Sequence, residues 1–192
     1  MESKFIKPIS IATIRGYSDQ KENSDTHRYN IISIPVLKDD KIYNLLGEYC
    51  NFFFVKSQET IDISFYTKEY FVVFATDHDG GFYGFIGGLG DVIHDNYPIG
   101  YISSDNKAGR IANNLKELFS LIIFNPFWQD LLKGKDKEIS NNFSEIHLDI
   151  AKTLSVHKDE QDIENLKIRL TREPFFTLYS KIDDNPSTQL QI

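Results

Sequence analysis

The chain has 192 residues, of which 41% are hydrophobic, 14% aromatic and 26% charged, the size of one domain and enough apolar material to exclude wholesale disorder. A formal net charge of −7 at pH 7 speaks against nucleic-acid backbones and anionic lipid as partners and suits a basic protein. One cysteine, Cys50, excludes an internal disulfide and a four-cysteine zinc site. The start, MESKFIKPISIATIRGY, lacks an apolar leader, and no stretch is long enough to span a bilayer, so a cytoplasmic protein is expected.

Residues 1–27 are expected to form a mobile lead-in, because the polar run SDQKENSDTH marks a loop. The domain proper is placed at 28–182. Tyr29 to Val36 reads as an Ile-rich strand ended by Pro35, and the aromatic stretch Tyr49 to Val55 as another. Ile61, Ile63 and Phe65 alternate with Asp62 and Ser64 in the manner of a half-exposed strand. Tyr70 to Ala75 (YFVVFA) is apolar on both parities, which predicts a central strand covered on both faces.

Asp79, Gly80 and Gly81 offer the positive φ of a tight hairpin, so 70–75 is predicted to pair antiparallel with 82–86. Val92 to His94 and Ile99 to Ile102 continue the meander, and Arg110 to Ala112 is its last extended piece. The period then changes: Leu115, Leu118, Phe119 and Ile122 recur at helical spacing, with Lys116, Glu117 and Ser120 facing away. Asn114 and Glu117 stand at capping-box spacing, which starts the helix at 114 and runs it to 124.

Pro126 suits the first turn of a second helix at 126–133. Ile146, Ile150 and Leu154 predict a third over 142–155, with Asn142 and Glu145 placed to cap it. The charged segment HKDEQDIENLK reads as an exposed helical continuation, and EPFFTLY as a strand or a helix end. Residues 183–192 are expected as a frayed tail. Together these elements predict an α+β domain, a twisted, mainly antiparallel sheet over about 28–112 packed by helices.

Between Glu69 and Asn106 there is no Lys or Arg, while Glu69, Asp77, Asp79, Asp91, Asp95 and Asp105 all fall in that window. Turn-forming aspartates account for such a run; so does an acidic docking face, for which Asp77, Asp79, Asp91, Asp95 and Asp105 with Tyr83, Tyr97 or Tyr101 are the candidate partner-binding residues. The glycine-rich run GGFYGFIGGLGD carries neither a dinucleotide nor a P-loop fingerprint, and a phosphate cradle among acids without a cation is electrostatically wrong.

Asp77-His78-Asp79 fails the calcium-loop spacing, since Gly81 and Gly88 occupy positions where that loop needs acids. The histidines are scattered without an H-E-x-x-H, and neither a nucleophile elbow nor a local cysteine-protease signature occurs. No catalytic residue, metal or cofactor is assigned.

The segments FVVFATDHDGGFYGFIGGLGDVIHDNYPIGYIS and AGRIANNLKELFSLII together resemble the core of the SUKH superfamily. In that group a buried strand ends in a small residue, a Gly- and Asp-bearing hairpin leads to an aromatic strand, a short strand follows, and an Ala precedes a polar-capped helix. FVVFA, DHDGGFYGFIG, DVIH and Ala112 before NNLKELFSLI occupy those places, over roughly residues 68–132, about a third of the chain. The family opens with a helix ahead of its first strand, where residues 28–66 here read as strands.

Many members are bacterial immunity proteins that bind and neutralise a toxin, and others are interaction modules near cell-wall synthesis. The resemblance therefore implies stoichiometric binding of a cognate toxin or other basic protein, with a nuclease as one target, because an acidic inhibitor can mimic the field of nucleic acid. The competing class is an enzyme with a small-molecule pocket under the Gly-rich hairpins, where Asp77, His78 or His94 would meet ligand. A concave pocket with converging polar groups marks the enzyme; an open acidic face with aromatic rims marks the binder.

Overall fold

A computed structural model of the chain describes residues 5, 31–33, 36, 41–56, 64–87, 95–132, 144–172 and 176–191. In chain order its elements are β1 (Ile31–Ser33), α1 (Lys41–Cys50), β2 (Phe53–Phe54), β3 (Phe65–Thr67), β4 (Phe71–Thr76), β5 (Phe82–Ile86), β6 (Ile99–Ile102), β7 (Ala108–Ala112), α2 (Leu115–Phe124), α3 (Trp128–Leu132), α4 (Glu145–Thr153), α5 (Asp162–Arg172) and β8 (Leu178–Ser180). This is an α+β domain.

One six-stranded mixed sheet runs β1-β4-β5-β6-β7, and β2 joins it on β4. β1 lies parallel to Phe71–Val73, β2 antiparallel to Ala75 and Thr76, and every later pairing is antiparallel. β3 and β8 form a separate two-stranded sheet. β4 is the spine, and its apolar run from Phe71 to Ala75 is buried throughout, as a strand covered on both faces requires. Phe74 falls where the β4–β5 register shifts, so Phe74 and Ala75 join Val72 in the helix-side core while Phe71 and Val73 face Phe176 and Leu178.

The predicted helix at 114–124 is present as α2, and Leu115, Leu118, Phe119 and Ile122 are buried in the main core. Asn114 Oδ1 accepts the Glu117 N–H at 2.8 Å. Glu117 returns its bond to the N–H of Asn113, at 3.0 Å, one residue ahead of the usual capping-box partner. Ser120 does not face away; it is buried against α5.

The first half departs furthest from expectation. Residues 41–50, inside the stretch read as strands, form α1, which buries Ile42, Leu46 and Cys50 at a spacing of four. Tyr43, Leu45 and Tyr49 are half-buried around it, so apolar residues surround most of the helix and blur its period. The chain leaves α1 through Asn51 at φ 52, a left-handed position that asparagine tolerates, and only Phe53–Phe54 of the predicted aromatic strand is extended. Phe65 belongs to β3; Ile61, Ile63 and the Val92–His94 piece lie outside the described residues.

Later boundaries also shift. α3 begins at Trp128, after a turn closed by Trp128 N–H to the Asn125 carbonyl at 3.0 Å. α4 is capped by Ser144, whose N–H reaches His147 Nδ1 at 3.3 Å; Asn142 is outside the described residues, and Glu145 is the first helical residue. α5 is no exposed continuation of α4. Ser155 at φ 54 separates them, and α5 buries Leu166, Arg169 and Leu170 against α2 and β7.

Within the tail expected to fray, Asp183 to Pro186 are exposed, but its end is tied to the domain: Leu190 is 2% exposed, its N–H bonds the Ala108 carbonyl at 3.1 Å, and Gln189 bridges Ala108. Of the expected lead-in only Phe5 is described, with its ring 5.3 Å from Phe119.

Candidate functional site

The hairpin between β4 and β5 and the helix α3 enclose a buried polar cluster around Asp77. Gly80 turns the hairpin at φ 84, and Asp77 closes it. Its backbone N–H donates to the Gly81 carbonyl at 3.2 Å, and its Oδ1 accepts the Gly81 N–H at 2.7 Å. Side chains alternate along a strand, and the β5–β6 register sets Tyr83 opposite Tyr101, so both rings point under α3. There Trp128 packs edge-on against both, with centroids 6.3 and 5.1 Å away.

The Tyr101 hydroxyl donates to Asp77 Oδ2 at 2.6 Å, and the Gln129 amide donates to the Tyr83 hydroxyl at 2.7 Å. Gly81 is required for this approach, because a Cβ there would collide with the Tyr101 hydroxyl and lie 2.7 Å from Asp77 Oδ2.

Burial pushes both phenols upward, with Asp77 adding to the shift at Tyr101 through its hydrogen bond and charge. Both therefore stay protonated at neutral pH; Tyr101 donates to Asp77, and Tyr83 accepts from Gln129. Asp77 spends one oxygen on the turn and the other on Tyr101, so the cluster braces the hairpin, while the buried Trp128 indole N–H beside it makes no hydrogen bond among the described residues.

This geometry redistributes the residues expected on a docking face. Asp77 is 7% exposed and Tyr83 fully buried, which removes both from direct contact with a partner. Tyr101 is buried as well. Asp95 is half-buried, and its carbonyl accepts the Leu115 N–H at 2.8 Å where α2 begins. Tyr97 is half-buried with its ring 6.1 Å from Phe85. These two precede β6, at the opposite end of that strand from Asp105, so the acids do not converge on one rim. Asp91 is outside the described residues.

Asp79 and Asp105 do come together. Both are exposed, and both line a cavity of about 370 Å³ with Tyr101, Lys107, Gln129 and Leu190. Asp105 is held below the ordinary aspartate range by hydrogen bonds from Lys107 and Ser103, with Lys107 Nζ 2.7 Å from its Oδ2.

Sequence reasoning missed Gln129, Lys107 and Leu190 as walls of this site. No local motif marks them, since α3 and the C-terminal segment reach the hairpin only through the tertiary fold. A second cavity, of about 350 Å³, opens between α1 and β2 and is lined by Tyr43, Gly47, Phe53, Lys56 and His78. The His78 ring lies 4.4 Å from that of Phe53.

Burial pushes the Cys50 thiol up to about 12, so it is protonated at neutral pH, and its side chain is buried in the core. Among the described residues no group of three or more His, Cys, Asp or Glu side chains is placed to hold a metal ion, and no helix is long and apolar enough to cross a membrane. Compared with family models, curated proteins and solved structures, the chain has no match in any of the three.

Proposed function

We infer that the chain is a protein-binding module of the SUKH kind, an immunity protein that neutralises a cognate basic toxin, such as a nuclease, by stoichiometric binding in the cytoplasm. The observation that carries this reading is the division of labour at the hairpin. Asp77, Tyr101, Tyr83 and Gln129 bond in pairs inside, while Asp79 and Asp105 stand exposed on a stretch with no Lys or Arg from Glu69 to Asn106, with Lys107 just beyond it paired to Asp105. Such an end steers a basic partner inward and offers no unspent buried acid or base for turnover. α1 supplies a helix ahead of the buried strand β4, although β1 precedes it, whereas the SUKH pattern opens with a helix before its first strand.

The reading predicts a toxin domain encoded beside this chain, and the test uses it. Co-expression should restore growth, and the mixed proteins should elute as a 1:1 complex with the mass of one copy of each. Replacing Asp79 and Asp105 together by Asn should slow association several-fold and flatten its salt dependence, with little change in dissociation. Absence of both rescue and complex would overturn the reading.

A small-molecule enzyme is the second reading, favoured by the 370 Å³ cavity with its polar lining beside the same hairpin. It requires a small polar ligand that raises the melting temperature of the isolated chain, and Ser104→Trp, which fills the cavity, should abolish that effect.

A further inference from the structure

Away from the hairpin, Asp162 opens α5 and is 6% exposed, with the Ser120 hydroxyl of α2 2.6 Å from its Oδ2. The same hydroxyl lies 3.0 Å from the His157 carbonyl and accepts the Asp159 N–H at 3.3 Å. A serine has one hydrogen to donate, so two acceptors compete for it. With Asp162 ionised, the shorter, charge-assisted bond to the carboxylate prevails, and the His157 carbonyl loses this donor. A proton on the carboxyl changes the count: Asp162 O–H donates to Ser120 Oγ, and the Ser120 hydrogen turns to the His157 carbonyl. Both bonds then form at once.

We propose that Asp162, Ser120 and the His157 carbonyl form a proton-operated clasp, in which one proton on Asp162 completes a hydrogen-bond chain from α5 through α2 to residues 155–161 and holds that segment against the domain. The surroundings bring the switch into an accessible range. Burial, the largest cause, pushes the Asp162 carboxyl up to about 6 and the Asp159 charge adds to it, while the Ser120 bond, a hydrogen bond from the Asp159 backbone and the Arg169 charge act in the other direction. Arg169 is occupied elsewhere, donating to Glu117 Oε2 at 2.6 Å and to the Ile111 carbonyl at 3.0 Å. His157, Lys158 and Glu160 of the same segment are exposed.

The sign follows from linkage. A carboxyl raised above its ordinary value binds its proton more tightly folded than unfolded, so the added stability is complete below about pH 4 and is lost as pH rises through about 6.

Hydrogen exchange on the full chain at pH 5 and 7.5, corrected for intrinsic rates, tests the clasp. Protection of 155–162 should be about tenfold greater at pH 5. Asp162→Asn, whose amide can donate to Ser120 Oγ as the protonated carboxyl does, should show high protection at both values. His157→Gln, which removes the neighbouring imidazole and keeps the carbonyl, should retain the difference. The carboxyl carbon of Asp162 in the unaltered chain should titrate near pH 6 by NMR, a measurement that needs no variant to fold. Equal protection at the two pH values, a difference that survives Asp162→Asn or vanishes in His157→Gln, or a midpoint near 4 would each overturn the proposal.

Discussion

Asp77 and Tyr101, twenty-four residues apart, meet in a buried hydrogen bond of 2.6 Å that ties the β4–β5 turn to β6. Tyr101→Phe keeps the ring and removes the donor, leaving Asp77 Oδ2 with the Gln129 amide at 3.5 Å. A buried acceptor deprived of its partner costs about 1–3 kcal/mol. Urea unfolding should show a midpoint lowered by that loss divided by the slope, with the slope itself unchanged. A loss below about 0.5 kcal/mol would mean that the hairpin does not depend on this brace.

Phe119 sits at the meeting point of α2, Phe5 and Phe52, with ring centroids 5.3 and 5.9 Å away, and is fully buried. Phe119→Ala should destabilise the domain by about 3–5 kcal/mol, the range for an emptied aromatic site. Equilibrium denaturation checks it, and a loss under about 1 kcal/mol would show that the α2 stripe does not form the core contact.

These two residues also mark what was legible in the sequence. Phe119 lies on a helix with apolar residues at helical spacing and a capping pair at its start, although Ser120, Leu121 and Ile123 are buried as well, and β4 is an uninterrupted apolar run beside a glycine turn, so period and punctuation sufficed to place both elements. α1 was hidden because aromatic side chains lie on more than one of its faces, giving a short segment the look of a strand. The acidic residues were visible, but whether Asp77 points inward depends on Tyr101 and on Gln129 from α3, contacts that no local pattern encodes. Leu190 follows a polar segment, and its burial likewise depends on tertiary contacts: its side chain joins the main core, and its N–H bonds the Ala108 carbonyl of β7.

Cys50 gives a chemical test of the same packing. An unperturbed thiol at its ordinary value of 9.0 is half ionised at pH 9, whereas one held at about 12 is ionised to about one part in a thousand. Native protein at pH 9 should therefore react with iodoacetamide far more slowly than unfolded protein, and modification should track unfolding as urea is added. Rapid labelling without urea would show that α1 opens from the core readily.

Arg169 and Glu117 allow the α5–α2 contact to be apportioned. Arg169 is almost buried, and its guanidinium joins Glu117 Oε2 at 2.6 Å to the Ile111 carbonyl at 3.0 Å. Glu117 simultaneously accepts from Asn113, so one carboxylate serves the start of α2 and the docking of α5. A fully buried pair broken on one side costs about 3–5 kcal/mol. Glu117 is one-third exposed, and water can replace part of the lost bond, which lowers the expectation for Glu117→Gln to about 1–3 kcal/mol. Arg169→Met removes the buried charge together with its need for a partner and should cost less than the sum of its contacts suggests. The double variant should be no less stable than Glu117→Gln alone, because the uncompensated guanidinium is gone. A double-mutant cycle measured by urea unfolding decides it: additive losses would mean that the two side chains stabilise α2 and α5 independently and that the ion pair contributes nothing of its own.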